Sequence, residues 1–159
     1  MIERMVPLHK AKVMRENAAL RRLHAARNAL SEASHYRLEC ERAVKENART
    51  LAHREDAIFR RVIKKVVGSS EIDTVKEDVL QLHKGHQKLE DELENATQQQ
   101  QKLFGEVEEA RQVHSTALRA LQKFDLALEE ILAAKVSFEN QAEEAETEDV
   151  FGKGRRSLA

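Results

Sequence analysis

His83 and His86, in the stretch His83-Lys84-Gly85-His86, stand three residues apart, a spacing that sets two imidazoles near one another on a helix and offers half of a metal site. No Cys or carboxylate completes the set convincingly. His86 also falls on an apolar stripe, so it is read as a polar, register-setting member of that stripe rather than as a ligand. Cys40 is the single cysteine, which excludes an intrachain disulfide. It too falls on a stripe and is read as a small packing residue, not a reactive thiol. The segment "FGKGRRSLA" (151–159) contains GKG, but no strand precedes it and the leading Gly-x4 of a phosphate loop is missing. There is no nucleophile motif, no Gly-rich cradle and no means of forming a convergent pocket. The sequence predicts no catalytic, cofactor-binding or metal residue, and no enzyme.

The elements that would carry these residues are long helices. Charged residues make up 35% of the 159-residue chain, aromatics 4%, and there is no Trp. That leaves too few large side chains for a multilayer core, while an Ala/Glu/Lys/Leu/Arg-rich mixture marks long helices and coiled coils. Steps alternating three and four from Ile72 pass through Val75, Val79, Leu82, His86, Leu89, Leu93, Ala96, Gln100, Leu103, Val107, Ala110, His114, Ala117, Leu121, Phe124, Leu128, Ile131, Lys135, Phe138, Ala142 and Ala145. Of these 22 sites 18 are apolar, the exceptions being His86, Gln100, His114 and Lys135. A mean step of about 3.5 held this long specifies a left-handed coiled-coil seam. The first half carries a weaker stripe of Leu23, Ala26, Leu30, Ala33, Cys40, Val44, Ala48, Leu51, Ile58 and Val62, interrupted by Arg37 and Glu55.

Between the stripes lies "VVGSSEID" (66–73). Lys64 and Lys65 suit the negative end of a helix, Gly68 a left-handed C′ position, and Ser70 an N-cap with Asp73 three residues on. The sequence predicts an all-α fold: two long helices forming an antiparallel coiled-coil hairpin over 1–149. Arm one runs about 7–67, the turn lies near 68–70, and arm two runs about 70–148. A turn of about 2–4 residues makes the arms antiparallel neighbours. Pro7 fits only a first helical turn, which places the start of arm one there or just before. Arm two is the longer, so an unpaired extension is expected at the end away from the turn. Residues 150–159 are predicted to be a flexible basic tail.

Charge is divided along the chain. Residues 1–67 carry a net charge of +8 and residues 68–159 one of −9. Folding back sets a basic arm against an acidic one, and charge pairing between them is expected. Arg21, Arg22, Arg27, Arg37, Arg42, Arg49, Arg60 and Arg61 are spread round the helix with Glu interspersed, so nucleic acid is not the predicted partner. No run approaches the ~18 apolar residues of a membrane span, and "MIERMVPLHK" lacks the apolar core of a secretory signal. These features predict a monomeric rod in a reducing cytoplasm. Phe59, Ile63, Val66 and Val67 crowd the turn beyond the seam, and Leu80, Leu118, Leu126 and Leu132 also lie off it, as expected of partner contacts or equally of two hairpins pairing into a four-helix dimer.

A cytoplasmic antiparallel hairpin of this length, with a basic first arm and a mid-chain break, resembles the type III secretion central stalk proteins of the FliJ/YscO type. The stretch "EDAIFRRVIKKVVGSSEIDTVKEDVLQL" (55–82) carries most of the likeness and is closer to the injectisome branch than to the flagellar one. The resemblance implies a stalk similar to a rotary ATPase shaft, located in the bacterial cytoplasm at the inner face of the secretion apparatus. Its paired terminal ends would sit in a hexameric secretion ATPase and promote its assembly or activity. The other end would face the cytoplasmic domain of the export gate and secretion chaperones, so that membranes are met only through partners. On this sequence the ATPase-contacting residues would be Arg4, Lys10, Lys12, Arg15, Arg21 and Arg22, opposite Phe124, Leu128, Ile131 and Phe138. The gate- or chaperone-contacting residues would be Leu51, Ile58, Val62, Val75, Val79, Leu82 and His86. The alternative reading is a generic coiled-coil scaffold or a holdase-type chaperone. A prefoldin-like chain would need β-hairpin signals that 66–73 is too short to supply.

Overall fold

The computed structural model describes residues 2–157. Two helices account for nearly all of them: α1, Ile2–Phe59, of 58 residues, and α2, Ser69–Ser157, of 89. By contacts the chain divides into two compact stretches, Arg22–Arg111, and Met1–Arg21 with Gln112–Ala159. Each stretch sets a piece of α1 against a piece of α2.

In the stretch Arg22–Arg111 partners climb along α1 as they descend along α2: Ser34 meets Gln100, Asn47 meets His86, and Glu55 meets His83. That is the antiparallel order of a helical hairpin. Its core is Leu23, Val107 and Ala110, with Ala26 and Leu30 packed against them. Cys40, Val75 and Ala96 are buried further along. Every α2 seam position from Val75 to Ala110 is buried or half-buried, whereas Ile72 is exposed. On α1 the stripe takes Asn47 in place of the expected Ala48, which is exposed. The alternation of three and four runs Val44, Asn47, Leu51, so the helical period overrides the apolar character of the neighbouring alanine.

In the stretch Met1–Arg21 with Gln112–Ala159 the same spacing continues on α1 through Ala19, Glu16, Lys12, His9, Met5 and Ile2, all buried or half-buried. Facing them, His114, Ala117, Leu121, Phe124, Leu128 and Ile131 are half-buried, and all described side chains from Leu132 onward are exposed. The expected extension of α2 therefore begins after Ile131.

Four local expectations are corrected. First, α1 begins at Ile2, which puts Pro7 in its second turn. The missing N–H deprives only the Glu3 carbonyl, at an exposed helix end where water can serve it. Second, α1 ends at Phe59 rather than at 67, so the connection spans 60–68. Its backbone tightens into three-residue turns, Arg61 N–H to the Ile58 carbonyl at 3.3 Å and Val62 N–H to that of Phe59 at 3.1 Å. Lys64, at φ 59°, holds the left-handed conformation expected of Gly68. Third, Gly68 rather than Ser70 is the N-cap of α2, since its carbonyl accepts the N–H of Ile72 at 3.3 Å, and Ser70 lies inside the helix. Fourth, α2 extends through Ser157 rather than ending near 148, into the predicted tail. Residues 158 and 159 of that tail lie outside the described residues.

Candidate interaction surfaces

Polar residues punctuate both seams, and each exception on α2 up to His114 is answered from α1. His86 Nδ1 accepts from Asn47 Nδ2 at 2.8 Å, and His86 Nε2 lies 3.0 Å from Glu90 Oε1 on its own helix. Gln100 Nε2 donates to Ser34 Oγ at 3.0 Å. His114 Nε2 donates to Glu16 Oε1 at 2.8 Å. Lys135 has no such partner on α1. It lies on the exposed part of α2 and reaches Glu139 at 4.0 Å. His83 turns to Glu55 at 3.4 Å while His86 turns to Asn47, so the two histidines serve different partners. Among the described residues no group of His, Cys, Asp and Glu is arranged to hold a metal.

The terminal set divides between surface and seam. Arg4, Lys10, Arg15 and Arg21 are exposed on α1. Lys12 is half-buried, with Nζ 5.7 Å from the centroid of the Phe124 ring, a cation–π geometry. His9 covers the same ring at 5.9 Å between centroids, tilted by 30°, and its Nε2 lies 2.7 Å from Asp125 Oδ1. Phe124, Leu128 and Ile131 thus pack in the intramolecular seam, whereas Phe138 is 72% exposed. Leu132 and Val136 are exposed beside it. Arg22 is exposed and belongs to the other stretch.

All seven residues predicted to face a gate or chaperone, Leu51, Ile58, Val62, Val75, Val79, Leu82 and His86, are buried or half-buried. The apolar surface near the connection belongs to others: Phe59, Ile63, Val66, Ile72 and Leu80 are exposed. Charge pairing between the arms is sparser than the charge division predicts. Of the eight arginines from Arg21 to Arg61 named above, Arg61 alone bridges to α2 among the described residues, at 2.6 Å from Asp78. Arg37 and Arg49 pair with Glu41 and Glu46 on their own helix. Neighbours one turn away are closer than the opposite helix, so local pairs form first.

Sequence reasoning missed His9, Glu16, Asn47 and Asp125. Extending the α1 stripe N-terminally from Leu23 in steps of four and three reaches Glu16 and His9, so the signal for those two was present in the spacing.

The chain matches the family described as type III secretion protein YscO over residues 5–153. The chain belongs to the YscO family of type III secretion proteins. No curated protein and no solved structure matches it. The YscO match spans nearly all of both helices and the connection. It bears out the resemblance drawn from residues 55–82. Among the described residues no helix is long and apolar enough to cross a membrane.

Proposed function

We propose that this YscO-family protein is the non-enzymatic central stalk of a type III secretion apparatus at the cytoplasmic face of the bacterial inner membrane. Its terminal stretch enters the hexameric secretion ATPase and promotes assembly or activity. The connection end meets the cytoplasmic domain of the export gate and secretion chaperones, and the free chain is a monomer. The observation that carries this reading is a family match running from residue 5 to residue 153 of a helical hairpin. Support also comes from α2, whose exposed continuation carries Leu132, Val136 and Phe138. Exposed cations Arg4, Lys10, Arg15 and Arg21 offer contacts to acidic groups of the ring. A single asymmetric hairpin cannot touch six identical subunits alike. Unequal contacts give unequal free energies, and these bias the subunits toward different states.

Charge reversal tests the ring contact. Arg15→Glu, Arg21→Glu and Arg22→Glu together should weaken stimulation of the ATPase while leaving helicity by circular dichroism unchanged. Full stimulation by this variant would remove the terminal basic residues from the contact.

A further inference from the structure

The connection between the helices has a composition and an exposure that pairing within the hairpin does not explain. From Ala57 to Ser70 there is no acidic residue, while Arg60, Arg61, Lys64 and Lys65 stand together. Arg61 is held by Asp78 at 2.6 Å, whereas Arg60, Lys64 and Lys65 are exposed and make no ion pair among the described residues. Apolar side chains are interleaved with these cations and also exposed: Phe59, Ile63 at 54% and Val66 at 107%. Lys64 takes φ 59°, a left-handed position where glycine or asparagine is the ordinary occupant. A lysine kept at a conformational cost, in a turn that leaves it in solvent, points to use of its charge.

We propose that residues 59–67 bind an anionic lipid surface directly. Cations near such a surface are attracted by its negative potential, and exposed apolar side chains between them enter the headgroup boundary. The mixture suits lipid better than an acidic protein groove. A fluid interface accepts charge and apolar tips together without a fixed register, and Ile63 and Val66 are too small and too scattered to fill a shaped pocket. The inference rests on the connection's own residues and goes beyond the stalk reading, which brings this end to the membrane only through partner proteins.

Co-flotation of the full chain with vesicles tests it. The protein should float with vesicles rich in phosphatidylglycerol, fail to float with pure phosphatidylcholine, and be released by added salt. Each cation near the surface is worth about fivefold in binding, so Lys64→Glu with Lys65→Glu should weaken it by at least about 25-fold. Ile63→Ser with Val66→Ser should weaken it at unchanged charge. Arg27→Glu with Arg42→Glu, the same charge change on α1 away from the connection, should bind much better than the Lys64/Lys65 variant. Circular dichroism of each variant verifies folding. Absence of flotation with either vesicle overturns the proposal and leaves an acidic protein as the partner of these cations. Equal loss in both charge-reversal variants overturns it too, because the attraction would then belong to the basic arm as a whole.

Discussion

His114 on α2 and Glu16 on α1 meet at 2.8 Å, with side chains only 18% and 15% exposed. The carboxylate can only accept, so Nε2 carries the proton and donates. A polar pair inside a largely apolar seam fixes which turn of one helix lies against which turn of the other, because a slip by one heptad in either direction would take Glu16 from His114 and set it against an apolar seam residue. Asn47 with His86 and Ser34 with Gln100 act alike in the other stretch.

Breaking that pair should be worse than replacing it. Glu16→Leu leaves His114 without its acceptor in a half-buried site and should lower stability by about 1–3 kcal/mol. Adding His114→Leu should recover most of the loss or exceed it. Thermal melts of the two single variants and the double variant measure the coupling. Additive losses would mean that the two residues do not interact in solution.

The apolar core is small, so a single truncation there is felt. Leu23 is 4% exposed and packs with Val107 and Ala110. Leu23→Ala should cost about 2–4 kcal/mol. The exposed Leu126→Ala should change stability by less than about 0.5 kcal/mol. Urea denaturation of both variants checks the contrast.

Two glycines and one lysine are predicted to be improvable. Gly85 and Gly105 lie inside α2 with nothing within 4 Å of an added Cβ. Alanine at either position should raise stability by up to about 1 kcal/mol. Lys64→Gly should also stabilise, by about 0.5–1 kcal/mol, because glycine adopts the left-handed conformation without strain. A lower melting temperature for Lys64→Gly would show that φ 59° is not the solution conformation at this residue.

Surface carboxylates on α1 set an acid-side dependence. Glu41 is held below its usual pKa by a hydrogen bond and the charge of Lys45, and Glu46 by a hydrogen bond and the charge of Arg49. Depressed carboxylates contribute stability that is fully present above their unfolded value and lost as pH falls through the folded one. Helicity should therefore weaken on the acid side of the normal glutamate range and be insensitive to these groups above it. Titration followed by carboxyl NMR should place both midpoints below the ordinary value, and Lys45→Ala should return Glu41 toward it. An unchanged Glu41 midpoint in that variant would contradict the assignment.

The helical hairpin was legible because one periodicity runs from Val75 to Ile131 without a break, and every one of those positions is buried or half-buried. The ends of elements were less legible. Lys64 has no side-chain signature of a left-handed residue, and Gly68 drew that role by its type alone. Asn47 and Glu16 were passed over because they are polar, although their spacing places them in the seam. The apolar set assigned to partners near the turn illustrates the same limit. Leu51, Ile58 and Val79 have the composition of a docking face and are half-buried, whereas Phe59, Ile63 and Val66 are exposed. Composition identifies apolar residues, and only the fold decides which of them remain free.

The measurement that bears most directly on the stalk proposal is ATP hydrolysis by the secretion ATPase of the same apparatus, with and without this protein at equal concentration, alongside light scattering for hexamer content. The account predicts faster hydrolysis and more hexamer when the protein is present. Unchanged hydrolysis and unchanged assembly, with an active ATPase and a folded hairpin, would contradict it.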